Sequence, residues 1–234
     1  MISQTHELGP ILDEYQSEIR VARNNFFLWK QMHRLAAEHE DVFALLNRNA
    51  RSWNLMLHGL QVTYLITLGR IFDNDKRSVS LTTLLKNVEG SGHLLTRIGL
   101  ESRRVAQSHG VRPDYLDTYL LKVDELSESD VFRMNVVAED LSGAWKERYE
   151  NIRNKVIAHK DMDTLPKQDE LFSQTNMDEL EDIILRLGQI GEVIWHFYAN
   201  GNRTALSDHV CSDEAQTRKD LRLLFGNLFD SGSN

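Results

Sequence analysis

Apolar residues recur along most of this chain at steps of three and four, the spacing of one face of an α-helix. The first run predicts a long helix over Ile11–Glu38, with Leu12, Tyr15, Ile19, Ala22, Phe26 and Trp29 on one stripe. A second predicts a helix over Val42–Phe72. Its face is Val42, Leu46, Trp53, Leu57, Leu60, Tyr64, Leu68 and Ile71, widened by Leu55, Met56, Val62, Leu65 and Ile66. So broad an apolar face places this second helix at the centre of the core.

Asp73-Asn74-Asp75-Lys76-Arg77 then makes a polar break, after which Ser78 or Ser80 suits the cap of a short helix through Leu81, Leu84, Leu85 and Val88. Beyond the loop Gly90-Ser91-Gly92, a helix is expected over about His93–Gln107. Pro113 suits the first turn of the next, whose stripe is Leu116, Tyr119, Leu120, Val123 and Leu126. A further long helix is predicted from Asp130 to His159, with Phe132, Val136, Val137, Leu141, Trp145, Tyr149, Ile152 and Val156 inward. Thr175-Asn176-Met177-Asp178 has a capping pattern, opening a helix to about Ala199 through Leu180, Ile184, Leu187, Ile194 and Phe197. In it Gly188 and Gly191 permit close packing. Ser212-Asp213-Glu214 opens a last helix carrying Leu221, Leu224, Phe225 and Leu228. No sustained period-two alternation and no hairpin signal appears. The expected fold is therefore all-α: a bundle of long antiparallel helices with short ones between them.

Composition sharpens this. With 41% apolar and 26% charged residues over 234 positions, the chain has a globular profile and length enough for its own core. No linker-like stretch interrupts it, so one domain over 1–234 is expected, frayed at 1–9 and 231–234. The three prolines, Pro10, Pro113 and Pro166, fall between periodic segments. The single cysteine, Cys211, excludes an internal disulfide and fits a reducing compartment. The start MISQTHELG lacks a basic head and an apolar run, and the near-apolar Leu55–Phe72 stretch is interrupted by His58, Gln61 and Arg70. A cytoplasmic protein without membrane association is expected. The formal net charge of −8 means that any nucleic-acid contact must come from a local cationic patch.

One stretch supplies such a patch. Over 146–160, Lys146, Arg148, Arg153, Lys155 and Lys160 outnumber Glu147 and Glu150. The segment also sets Arg153, Asn154 and His159 near the predicted end of a long helix. These residue types suit RNA cleavage. A histidine exchanges protons close to neutral pH. An arginine grips phosphate oxygens in two prongs and stabilises developing charge. RNA provides its own nucleophile, the 2′-hydroxyl, so the chemistry requires neither metal nor cofactor.

Arg153-Asn154-(four residues)-His159 resembles the Arg-(four to six residues)-His signature of the HEPN superfamily. Leu68-Gly69-Arg70-Ile71-Phe72-Asp73, through Arg77-Ser78-Val79-Ser80-Leu81, resembles the corresponding part of its abortive-infection branch. With the flanking helices the resemblance spans roughly 10–200. It implies a metal-independent ribonuclease of phage defence or of a toxin–antitoxin pair, acting on RNA as a homodimer whose paired arginines and histidines line one cleft. On that reading His159 is the general acid or base, Arg153 holds the scissile phosphate, and Asn154 orients substrate or histidine. Lys155, Lys160 and Arg70 are candidates for further substrate contacts, and an antitoxin or regulatory protein is a further expected partner.

Helix geometry bears on the dimer. On a straight α-helix, six positions at about 100° each leave Arg153 and His159 roughly 120° apart, with a rise of about 9 Å. Helical side chains also lean toward the N-terminus, which points Arg153 away from His159. Either the helix breaks near Ala158, or a two-fold axis brings second copies into the cleft.

Each residue also has a plainer reading. His159 extends the apolar stripe of Ile152 and Val156 and suits a helix C-terminus. Arg153 suits an ion pair with Glu150 or Glu147. Arg70 suits a local pair with Asp73, and Lys155 and Lys160 are ordinary helix-end cations. The aromatic residues Phe26, Phe27, Trp29 and Trp53 fit a core better than a base-stacking platform. His209-Val210-Cys211-Ser212-Asp213 lacks the partners of a zinc site, and Gly90-Ser91-Gly92 lacks the lysine of a phosphate loop. The main competing function is a non-catalytic HEPN-like module that binds a protein, nucleotide or RNA; a plain bundle without ligand is the third.

Overall fold

A computed structural model describes residues 8–75, 77–158, 175–206 and 213–226. Its helices are α1 (Leu8–Glu38), α2 (Glu40–Arg48), α3 (Ala50–Ile71), α4 (Leu81–Gly90), α5 (Arg97–Gln107), α6 (Leu116–Leu120), α7 (Glu128–Arg148), α8 (Met177–Asn200) and α9 (Asp213–Leu224). A 3-10 turn (Gly92–Leu95) precedes α5, and a π-helical segment (Ile152–Ala158) follows α7. The fold is all-α, with no strand among the described residues.

Helix α1 is the spine. It packs along α3 and α8, and α9 and α4 also lie against it. The predicted stripe of α1 is buried at Leu12, Tyr15, Ile19, Ala22 and Phe26, and Trp29 is partly buried against the same core. The helix begins at Leu8, so Leu8 and Gly9, expected to fray, form a buried first turn. Of the two glycines of α8, Gly191 permits close packing, whereas a Cβ on Gly188 would meet its neighbours only at ordinary contact distance, 3.6 Å from Ile19. A Cβ on Gly191 would stand 3.1 Å from the ring of Tyr15, whose hydroxyl donates to the Leu187 carbonyl at 3.1 Å.

The predicted helix over Val42–Phe72 is two helices. Asn49 closes α2 and opens α3 with φ −124° and ψ 39°, outside the helical basin. The hydrophobic steps already jump from Leu46 to Trp53, so no apolar side chain rewards continuity there. An asparagine side chain competes for backbone hydrogen bonds and favours such breaks. The fully buried part of the apolar face lies in the second half of α3, while Trp53 and Leu57 of the first half are partly buried against a second cluster with Met32, Leu35 and Val42. Tyr64, Leu65, Leu68 and Ile71 are buried, whereas Leu55 and Met56 are 71% and 48% exposed.

The remaining elements shift less. Thr96 accepts the Gly99 amide and splits the predicted helix from His93 into the 3-10 turn and α5. Helix α6 is a short segment after Pro113, and Val123 and Leu126 lie beyond it. Helix α7 starts at a capping box, with Ser127 accepting the Asp130 amide and Asp130 accepting the Ser127 amide. Its buried face runs through Met134, Ala138, Leu141 and Trp145; Phe132 and Val136, expected inside, are 68% and 48% exposed. Asn176 caps α8 by accepting the Asp178 and Glu179 amides. At the other end Arg103 and Arg104 donate to the Tyr198 and Ala199 carbonyls at 2.5 and 2.8 Å, cations placed at the negative end of the helix dipole. No helix among the described residues is long and apolar enough to cross a membrane.

Candidate active site

The carboxyl ends of α3 and α7 meet. Phe72, which follows α3, stacks on Trp145 of α7, and Trp145 stacks in turn on Tyr149. Tyr149 is fully buried, and its hydroxyl lies 2.8 Å from the Asn176 carbonyl and 2.9 Å from Glu179 Oε2. Burial, with the adjacent carboxylate, raises the Tyr149 pKa well above the ordinary phenolic value and keeps its proton as a donor. Arg148 pairs with the other oxygen of Glu179 at 2.5 Å. The end of α7 is thus fixed to the start of α8.

The chain does not continue from there as the predicted α-helix to His159. It turns at Tyr149 and passes into the π-helical segment Ile152–Ala158, which carries Arg153, Asn154 and Lys155. Ile152 and Val156 are buried, and this segment packs on α3. The widened pitch means that a straight α-helical projection does not hold across it. Such segments concentrate at functional sites. His159 and Lys160 lie outside the described residues.

Arg153 is half-buried and makes neither of the expected ion pairs with Glu147 and Glu150. Its Nη1 donates to Asn154 Oδ1 at 2.6 Å, and its Nε is buried without an acceptor. The side chain lies against Gly69: a Cβ there would overlap Nε and stand 3.0 Å from Cδ and 3.1 Å from Cγ. The two segments that carried the family resemblance therefore touch, through Gly69 and Arg153. Gly69 lies within the first of these segments, and its signal in the sequence is a glycine inside a helical apolar run, two residues from the helix end.

A model of the AbiU2 family of HEPN domains matches residues 6–219 of the chain. The chain belongs to this family. It is an abortive-infection HEPN domain. No curated protein matches it, and no solved structure does.

The other candidates of this AbiU2 domain are placed as follows. Arg70 points away from Asp73 and forms a two-pronged pair with Glu18 of α1, at 2.9 Å from Nε and 2.7 Å from Nη2. Asp73 instead accepts the Asp75 amide and the Ser78 hydroxyl at 3.0 Å each, shaping the loop after α3. Lys155 is exposed. Among the described residues no group of three His, Cys, Asp or Glu side chains is arranged to hold a metal ion. Of the stretch His209-Val210-Cys211-Ser212-Asp213, the residues from His209 to Ser212 lie outside the described residues.

Proposed function

We propose that this AbiU2-family domain is a metal-independent endoribonuclease of the HEPN type, acting in phage defence or as the toxin of a toxin–antitoxin pair. One observation carries the reading: Arg153 is held by Gly69 and Asn154 and has no acidic partner among the described residues. A half-buried guanidinium that no described residue neutralises suits an anion, and its fork matches a phosphodiester. Arg153 would hold the scissile phosphate and stabilise charge as the 2′-hydroxyl attacks. His159 would move the proton, as general base toward the 2′-hydroxyl or general acid toward the 5′-oxygen, leaving a cyclic phosphate. Asn154, already bonded to Arg153, would orient the guanidinium. Lys155 and Lys160 would add phosphate contacts. A homodimer would bring the second copy of each residue to one cleft.

Arg70 has the weaker case as a substrate contact. Its guanidinium is occupied by Glu18, so it would contribute to RNA binding only through its half-exposed edge.

The test is incubation of the purified protein with total RNA in excess chelator. The expected result is cleavage by the wild type and none by His159→Ala, with dimerisation and melting temperature almost unchanged. A His159→Ala protein as active as the wild type would remove the role given to His159. Binding of RNA or protein without cleavage by the wild type would favour the non-catalytic module, which the net charge of −8 accommodates.

A further inference from the structure

We infer that Gly69 is a positioning residue for Arg153: the volume where its side chain would be is taken up by the arginine stem, so the backbone of α3 aims the guanidinium. The inference deepens the nuclease reading and rests on it for the reaction, though not for the contact.

The three atoms nearest to a Cβ at Gly69 are Nε, Cδ and Cγ of Arg153, and no other residue comes closer. Glycine in a helix interior is unfavourable relative to alanine, so its presence there needs a local reason. The neighbours in the chain do not supply one. Leu68 and Ile71 are core residues, and Arg70 turns away to Glu18. On the far side Asn154 Oδ1 takes one hydrogen of Nη1 at 2.6 Å. The arginine is therefore held between a bare helix backbone and one amide.

The donor inventory then becomes specific. An arginine carries five N–H bonds in a planar fork. Nε–H is buried without an acceptor, and one hydrogen of Nη1 is used by Asn154. The second hydrogen of Nη1 and both on Nη2 have no partner among the described residues. Among the described residues nothing else claims the outer edge of the fork, which suits an anion. A side chain fixed before the anion arrives loses less entropy on binding than a free one. Gly69 is thus part of the anion site without touching the anion.

Four proteins test this: wild type, Gly69→Ala, Arg153→Ala and the double variant. In the Arg153→Ala background, alanine at position 69 should raise the melting temperature, because a better helix former meets no guanidinium. In the wild-type background the same change should lower it. Equal shifts in the two backgrounds would overturn the contact. If Gly69→Ala does not fold while the double variant does, the coupling is supported in its extreme form. If neither folds, alanine at 69 meets something other than Arg153 and the inference is lost.

Two further readouts address the role. Gly69→Ala should lose RNA cleavage by at least about 100-fold, the scale of removing one stabilising donor. Gly59→Ala, in the same helix but facing open space, should keep the wild-type rate. A Gly69→Ala rate within about twofold of wild type overturns the positioning role. If the wild type cleaves no RNA, the nuclease reading fails by itself. The positioning role is then decided by the Nε–H resonance of Arg153, assigned by its absence in Arg153→Ala, during titration with inorganic phosphate. A response in the wild type that is absent in Gly69→Ala supports it; the same behaviour in both proteins overturns it.

Discussion

The indole of Trp145 lies over the ring of Phe72, with centroids 5.2 Å apart and planes inclined by 17°. Phe72 closes α3 just after Gly69, and Trp145 lies eight residues before Arg153, so this stack sets how closely the two helix ends approach. Offset stacking of this kind adds to the apolar burial of both rings. It joins the end of α3 to α7 close in sequence to both Gly69 and Arg153.

Removing that stack should be costly. Trp145 is 4% exposed, and truncating a buried aromatic residue to alanine costs about 3–5 kcal/mol. Trp145→Ala should lower unfolding free energy by that amount in urea titration, with Phe72→Ala smaller because Phe72 is only partly buried. A Trp145→Ala protein with an unchanged midpoint would show that the stack holds nothing.

Glycines inside helices should answer alanine in opposite ways. A Cβ on Gly191 would press on the Tyr15 ring at 3.1 and 3.3 Å, and that ring is fully buried and anchored at Leu187. Overpacking costs about 1–3 kcal/mol and the helix gain returns about 1, so Gly191→Ala should lose about 1 kcal/mol net. Gly59 has nothing within 4 Å. Gly59→Ala should gain roughly 0.5–1 kcal/mol. Thermal unfolding of the two variants side by side decides both signs.

Acid should weaken the start of α7 through Asp130. Its carboxylate is desolvated, which alone would raise its pKa, but the Ser127 hydroxyl and amide, Arg133 and Arg203 outweigh this and hold it below the ordinary value. A depressed folded pKa means stability that is fully present above the unfolded value, about 3.9, and is lost as pH falls from there through the folded pKa. Stability measured across that window should fall less steeply in Asp130→Asn than in wild type. Equal slopes would mean that Asp130 has the same pKa folded and unfolded.

Charge next to Arg153 should matter more than shape. Asn154→Asp keeps the geometry of the 2.6 Å bond but places a carboxylate on the guanidinium, neutralising the anion site. Cleavage by this variant should fall on the order of 100-fold, with melting temperature unchanged or higher. An Asn154→Asp protein that cleaves RNA at the wild-type rate would mean that Arg153 does not meet the phosphate.

Where periodicity was strong, as in α1 and α8, the sequence was enough to place the helices and their buried faces. It was also enough to single out the two segments that meet at Arg153. What it concealed has physical causes. The break at Asn49 is one residue wide and lies in a gap of the apolar stripe. On α7, Met134 and Ala138 face the core because they continue the steps of three and four that lead to Leu141 and Trp145, whereas Phe132 and Val136 lie off that stripe despite being apolar. The partner of Arg70 is Glu18, fifty-two positions away, so no local spacing rule reaches it. The π-helical pitch is not legible in the spacing, because Tyr149, Ile152 and Val156 keep the steps of three and four of an ordinary helix.

A π-helical segment is an α-helix that has accommodated a surplus residue. The side chains on its two flanks are consequently out of phase by about 100° relative to an uninterrupted helix. For this chain the surplus residue falls within Ile152–Ala158, the segment that carries Arg153, Asn154 and Lys155. Deleting Ile152 would restore the ordinary winding, yet it would also turn Arg153 by about 100° around the axis, off the bare backbone at Gly69.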